Sequence, residues 1–181
     1  MIPVYSGYSK LTTRFGYNSR ILEAIKWHYK ICKDAISDGQ LNSKLWLLDR
    51  IKGIDLGTVF ICAGWYGILA TMMFEDENIY VDKIRSFDLD DNCWKIAEDF
   101  NRPWTKDNWK FKASTLDITT MQFPTKHKTY RANGTSLILD EMPDTIINTS
   151  CEHIEQFTKW FTTIKQILLR GLRCVCTLSW H

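Results

Sequence analysis

The sequence has no long apolar run, no excess of one charge and no closely paired cysteines, and each absence removes a class of function. No uninterrupted apolar stretch approaches the roughly 20 residues that cross a bilayer. Residues 1–7 lack a basic segment followed by an apolar one, so neither a membrane span nor a secretory leader is read. Lys and Arg number 23 against 21 Asp and Glu, a formal net charge of +2, which gives no electrostatic case for a nucleic-acid or membrane-surface partner. The six cysteines (Cys32, Cys62, Cys93, Cys151, Cys174 and Cys176) include no C-x-x-C pair and no matching His spacing. They read as buried, reduced thiols with no metal, which places the chain in the cytoplasm. Without secretion, the N-x-[ST] sequons at Asn133 and Asn148 carry no weight. Repeats and low-complexity tracts are also missing.

What is present is an ordinary globular composition. The 181 residues are 45% hydrophobic and 24% charged, enough to bury a substantial core. Residues 5–17 mix Gly, Ser and Thr with aromatics and read as an irregular arm. Ile21, Leu22, Ile25, Tyr29 and Cys32 then recur at helical spacing behind Ser19 as N-cap. Asp38-Gly39 is expected to break that helix, and a second runs from near Asn42 to Gly53.

The pattern then changes. Gly57-Thr58-Val59-Phe60-Ile61-Cys62-Ala63 is a continuous β-branched and apolar run, the sign of a strand buried on both faces. Gly64 ends it, and residues 65–74 read as a helix. Residues 84–88 form a second strand and 91–101 a helix closed by Arg102-Pro103. Residues 109–113 alternate as a third strand. Residues 118–134 read as loop, with a basic patch at Lys126, His127, Lys128 and Arg131 that is a solvated loop or a hold for an anionic substrate. Residues 145–148 are a fourth strand, and 172–178 a fifth. Between them Ile154, Phe157, Phe161, Ile164 and Leu168 mark an amphipathic helix.

Short apolar strands alternating with helices imply a parallel sheet with helices on both faces. Such sheets bind ligands beyond the carboxyl ends of their strands, where strand order reverses. That places residues 63–67, 88–90, 116–117 and 148–153 along one edge. A strand ending in glycine, then a helix, then a strand ending in Asp88 is a nucleoside-binding layout, with the carboxylate positioned for a ribose diol. A dinucleotide would require G-x-G-x-x-G, whereas Trp65 and Tyr66 stand between Gly64 and Gly67 and would crowd a pyrophosphate. S-adenosylmethionine carries no phosphate and suits this turn better than NAD.

Val59-Phe60-Ile61-Cys62-Ala63-Gly64-Trp65-Tyr66-Gly67, Ser86-Phe87-Asp88-Leu89-Asp90, Phe111-Lys112-Ala113 and Asp144-Thr145-Ile146-Ile147-Asn148-Thr149-Ser150-Cys151-Glu152-His153 follow in that order. Together, over about residues 53–168, they resemble class I S-adenosylmethionine-dependent methyltransferases, especially little-characterised members encoded by tailed-phage genomes. The resemblance implies an α/β, Rossmann-like three-layer sandwich with a mostly parallel sheet. Residues 1–52 would be an arm and helices packing on it, and 53–181 the cofactor-binding part. Ala63, Gly64, Trp65, Tyr66 and Gly67 would line the methionine end of the cofactor. Asp88 would bind the ribose hydroxyls, Leu89 would pack on adenine, and Asp117 would accept the adenine amino group. Asn148, Glu152 and His153 would sit near the methyl group, with His153 and Glu152 as catalytic candidates and His153 the base. Competing structural roles remain open for several: Asp90 as an N-cap, Asp117 as a turn cap, and Glu152 as a residue favoured by a helix dipole.

The acceptor is not readable, although Asn148-Thr149-Ser150-Cys151 is not the N/D-P-P-Y/F signature of amino-methyltransferases. Residues 170–181 depart from the family, so a C-terminally shortened fold is expected, with an open sheet edge inviting self-association. Binding of S-adenosylmethionine without methyl transfer, and its cleavage, are the alternative functions.

Overall fold

The run at Thr58–Cys62 forms the central strand, because four successive buried residues, Val59 to Cys62, need a hydrogen-bonded neighbour on each side. The computed structural model describes residues 6–151, 154–168 and 173–176. In it, β1 (Thr58–Cys62) pairs in parallel with β2 (Lys83–Asp88) on one side and β6 (Thr145–Asn148) on the other. β3 (Phe111–Thr115) lies outside β2 and β7 (Arg173–Cys176) outside β6, giving the order β3-β2-β1-β6-β7 with every pair parallel. Strand order therefore reverses between β1 and β6, which sets the carboxyl ends of these two strands at the switch point.

The two faces of the sheet are filled differently. Val59, Ile61, Ile84, Phe111, Ala113 and Ile147 belong to one apolar cluster with α2 (Arg20–Cys32), α4 (Ile68–Glu75) and α5 (Cys93–Phe100). The helices α1 (Ser6–Phe15) and α3 (Asp38–Ile51) join the same cluster through Leu11, Leu41, Leu47 and Leu48. Phe60, Cys62, Phe87 and Ile146 face the other way, against Trp160 and Ile164 of α7 (Phe157–Leu168). The result is the expected three-layer α/β sandwich. Among the described residues no helix is long and apolar enough to cross a membrane.

Several elements differ from the sequence reading. The supposed arm at residues 5–17 contains α1: Tyr8, Leu11 and Phe15 fall on one side, and burial of Leu11 outweighs the poor helix propensity of the Ser and Thr residues. Asp38-Gly39 does not break a helix but opens α3, where an acid in the first turn suits the dipole; the interruption lies at 33–37. Ser19 holds the N-cap position of α2, yet its hydroxyl makes no cap bond. The Glu75 carboxylate does so instead, accepting from Ile21 N (2.8 Å) and Arg20 N. The third strand begins two residues late, because Asn108 and Trp109 adopt left-handed φ values of 47° and 55°. Pro103 does not simply end α5; it opens the short α6 (Arg102–Lys106).

The largest difference is at 118–134. Instead of loop there is a 3-10 turn at Ile118–Thr120, then the antiparallel hairpin of β4 (Thr125–Tyr130) and β5 (Ser136–Glu141). No α-helix lies between β3 and β6; the hairpin closes that part of the second face. Its inward side mixes Thr125, His127, Thr129 and Glu141 with half-buried Leu137 and Leu139, and the sheet beneath it sets two cations beside Phe87, whose ring meets His127 edge-on at 5.0 Å. Arg85 of β2 (4% exposed) and Lys112 of β3 (2% exposed) are buried there. Arg85 grips Glu141 through both oxygens, Nε to Oε2 at 2.5 Å and Nη2 to Oε1 at 2.8 Å. His127 Nε2 lies 3.2 Å from Glu141 Oε2, and its Nδ1 lies 2.8 Å from Ser114 Oγ. Lys112 Nζ pairs with Glu98 Oε1 at 2.6 Å and donates to Tyr130 O at 2.7 Å.

Burial alone would raise the Glu141 carboxyl. Hydrogen bonds from His127 and Arg85, with the charges of Arg85 and Lys83, outweigh it and hold the group well below the usual carboxylate range. As pH falls, the unfolded chain takes up this proton first, near pH 4.3. The stabilisation is thus complete above about pH 5 and lost progressively as pH falls toward the folded-state value. Glu141→Gln is expected to cost about 3 kcal/mol at neutral pH by stranding Arg85. It should also flatten the acid side of the stability profile. Urea unfolding of both proteins from pH 7 to pH 3 checks this; parallel profiles would remove Glu141 from the acid response.

Candidate functional site

At the carboxyl end of β1 the chain makes a tight, left-handed turn before α4. Ala63, Trp65 and Gly67 all have positive φ, at 53°, 48° and 70°. For the two non-glycine residues this is a sparsely populated conformation, of the kind that collects at ligand-binding turns. Three contacts enforce it. Gly64 N donates to Phe87 O at 2.9 Å, extending the β1–β2 pairing by two residues. Trp65 N donates to Asp88 Oδ2 at 2.8 Å. Asn101, fully buried at the end of α5, donates to Gly67 O at 3.0 Å and Ala97 O at 2.9 Å while accepting from Thr71 Oγ1 at 3.0 Å.

Gly64 is required for space rather than freedom. A Cβ there would stand 2.1 Å from Ser86 Oγ. Because Trp65 and Gly67 are left-handed, the helix starts at Ile68 and not at Trp65, with Gly67 in the N-cap position. Trp65 and Tyr66 stack on each other, ring centroids 5.1 Å apart.

Beside this turn lies a cleft of about 650 Å³ that contains Ala63, Trp65, Asp88, Leu89 and Asp117 in its walls. Five of the sequence-derived candidates are thus brought together. Asp88 Oδ1 accepts Asp90 N at 3.1 Å, so each carboxylate oxygen already holds one backbone hydrogen. A carboxylate has about four lone-pair positions, so roughly two remain for a ligand. Leu89 is 71% exposed, an apolar surface held open at the mouth. Asp117 lines the cleft and also caps the 3-10 turn, its Oδ1 accepting from Thr119 N at 2.9 Å and Thr119 Oγ1 at 2.7 Å. Gly64 and Tyr66 line a small recess behind the turn together with Ser150. Asn148 is fully buried behind the cleft, its Oδ1 accepting Ser150 N at 2.9 Å. Glu152 and His153 lie outside the described residues.

No protein-family model and no curated protein matches this sequence. Solved structures match its fold. A Methanococcus maripaludis protein assigned to the S-adenosyl-L-methionine-dependent methyltransferases aligns at 15% identity and a TM-score of 0.51, over 87% of this chain and 63% of that one. The Haemonchus contortus phosphoethanolamine N-methyltransferase 2, solved with phosphomonomethylethanolamine and S-adenosylhomocysteine, aligns at 15% identity and 0.51, over 96% and 35%. A chain from the Haloferax volcanii complex of the Trm112 methyltransferase activator with its methyltransferase-type partner gives 12% identity and 0.53, over 87% and 58%. The fold is that of the class I methyltransferases. The chain spans less than two thirds of the length of each of these neighbours.

Within this class I fold, several cleft residues carry no signal in the sequence. Gln40 reaches the wall from the first turn of α3, and Ile118, Ile154 and Gln156 also line it, beside Ser150 of the segment 148–153 that the sequence pattern already places at this edge. Their positions follow from tertiary packing and not from any local motif. Asn101 reads in sequence as an ordinary helix terminus, yet it ties the turn to α5. Larger concavities lie elsewhere; one of about 970 Å³ sits beside α1, α3 and the end of α4, near the opposite end of the sheet.

Gly64→Ala is expected to cost on the order of 1–3 kcal/mol through the Ser86 clash. Ser86→Ala should recover much of it, since Ser86 Cβ would be at an ordinary 3.4 Å. A double-mutant cycle by chemical denaturation measures the coupling. Strictly additive losses would mean that Ser86 does not dictate the glycine.

Proposed function

We propose that the cleft binds S-adenosylmethionine and that the chain is a methyltransferase. The observation that carries this reading is the Asp88 carboxylate, fixed at the end of β2 against a left-handed backbone turn with its remaining acceptor positions at the cleft. A ribose diol fits those positions. Adenine would lie between exposed Leu89 and the apolar wall of Leu116 and Ile118, with Asp117 facing its amino group. The amino-acid end would extend over residues 63–67. Trp65 and Tyr66 leave no phosphate cradle there, which favours this cofactor over a dinucleotide. S-adenosylhomocysteine is bound in the Haemonchus contortus protein of the same fold.

The cofactor supplies an electrophilic methyl on a sulfonium, so the protein's task is mainly alignment of donor and acceptor. We assign the base for a hydroxyl or ammonium acceptor to His153, with Glu152 beside it in sequence and Asn148 anchoring the segment that leads to both. In this reading residues 1–52 build the α-helical wall of a cofactor-binding part formed by 53–181. The protein works in the cytoplasm with reduced thiols, and the β7 edge is where two copies would associate.

Calorimetric titration with S-adenosylmethionine, S-adenosylhomocysteine and NAD tests the assignment. Micromolar binding of the first two and none of NAD is expected; no binding of either sulfur ligand sinks it. Asp88→Ala should weaken binding by on the order of 1.5–3 kcal/mol. His153→Ala should spare binding and lower formation of S-adenosylhomocysteine when a cell extract supplies the acceptor. Release of methylthioadenosine without an acceptor would replace methyl transfer by cleavage.

A further inference from the structure

A second groove, of about 850 Å³, lies away from the cofactor cleft between α5, α6 and the tip of the β4–β5 hairpin. Its walls combine three aromatic rings, Trp94, Trp109 and Tyr130, with the cations Lys95, Lys106 and Arg131. Trp94 and Tyr130 are stacked, centroids 4.6 Å apart and planes 13° from parallel. Lys95 Nζ lies 5.3 Å over Trp94 and Lys128 Nζ 5.3 Å over Tyr130, so the pile runs cation, ring, ring, cation.

Trp109 is held beside it at a backbone cost. Its φ of 55° is a left-handed conformation, worth roughly 1–2 kcal/mol for a residue of this type. Its surroundings impose the geometry: Arg85 Nη1 donates to Trp109 O at 2.9 Å, and Lys112 Nζ lies 5.3 Å over the ring. The groove is also charged beyond its internal needs. Lys112 is neutralised by Glu98, and the one further carboxylate among the described residues of the groove, exposed Asp91, accepts from Thr115 Oγ1 at 2.6 Å and keeps its charge against three remaining cations. Lys95, Lys106 and Arg131 are exposed and make no ion pair among the described residues. The near-neutral total of +2 conceals this local concentration.

We infer that this groove binds single-stranded nucleic acid. Phosphates would take the places around Lys95, Lys106 and Arg131. Unstacked bases would pile on Trp109 and on the Trp94–Tyr130 pair, displacing the exposed lysines from the ring faces. Aromatic platforms inside a basic groove recognise a strand in this way because every base has a π-face and every nucleotide a negative charge. A duplex hides its base faces and would forgo the stacking. The inference does not depend on the cofactor reading, since none of these three cations or three rings lines the first cleft.

Fluorescence anisotropy with a labelled oligonucleotide of about 12 nucleotides tests it. Saturable micromolar binding is expected at about 50 mM salt, weakened some twentyfold at about 200 mM if three phosphates are engaged. A matched duplex and AMP should bind much more weakly. The double variant Lys106→Glu, Arg131→Glu alters only exposed side chains and should lose at least about tenfold. Trp109→Ala should lose roughly 5- to 150-fold. Affinity for S-adenosylhomocysteine serves as the control that both variants are intact, or the unfolding midpoint if that ligand does not bind. No saturable binding, equal affinity for duplex, binding of AMP as tight as the oligonucleotide, or full affinity in the charge-reversed variant would each overturn the inference.

Discussion

The hydrogen bond from Trp65 N–H to the Asp88 carboxylate fixes the turn after β1 against the end of β2, and with it one wall of the cleft. A backbone turn with left-handed Ala63 and Trp65 would relax if left alone. It is held from the front by Asp88 and from behind by Asn101, whose amide spans Gly67 O and Ala97 O. Charge-assisted bonds of the first kind are about twice as strong as neutral ones, so the carboxylate is the dominant clamp. The same group is therefore scaffold and, in the proposed reading, ligand contact at once, which would couple the shape of the pocket to its occupant.

On the second face, charge under the hairpin is added to the apolar contact with α7. A parallel sheet is usually sealed on both faces by helices. Here the hairpin covers part of one face, and Arg85, Lys112, His127 and Glu141 meet beneath it. Buried ion pairs seldom outperform a hydrophobic filling of the same volume, but they tolerate only one arrangement. The hairpin is consequently fixed in register over β2 and β3, and with it the position of Tyr130 and Arg131. The N-terminal helices are tied on by similar means, since Glu75 caps α2 from the end of α4 and Arg14 bridges Asp49 and Asp76.

Central strands were legible because full burial leaves a continuous apolar run, as in Val59-Phe60-Ile61, and Asp88 was legible through its spacing from Gly64. The hairpin was not. In β4 the inward residues Thr125, His127 and Thr129 are as polar as the outward Lys126 and Lys128, and in β5 the exposed Ile138 stands between half-buried Leu137 and Leu139, so neither strand showed hydrophobic alternation. The α1 helix was hidden by serine and threonine, whose intrinsic preferences were overridden by the burial of Leu11. For Asp117 the residue type allowed a ligand contact or a turn cap, and the chain uses it as a cap within the cleft wall. Asn101 and Gln40 reach their places only through long-range packing, and a single sequence contains no trace of that.

The charge cluster under the hairpin also constrains how the sequence can drift. Losing Glu141 strands Arg85, and losing Glu98 strands Lys112, so each single step passes through a buried, uncompensated charge. Replacement of all of them by apolar residues would be far less costly than replacement of one. Lineages descended from such a chain should therefore keep the set whole or exchange it as a block, with the hairpin and the outer strands of the sheet changing together while the turn around Gly64 evolves on its own schedule.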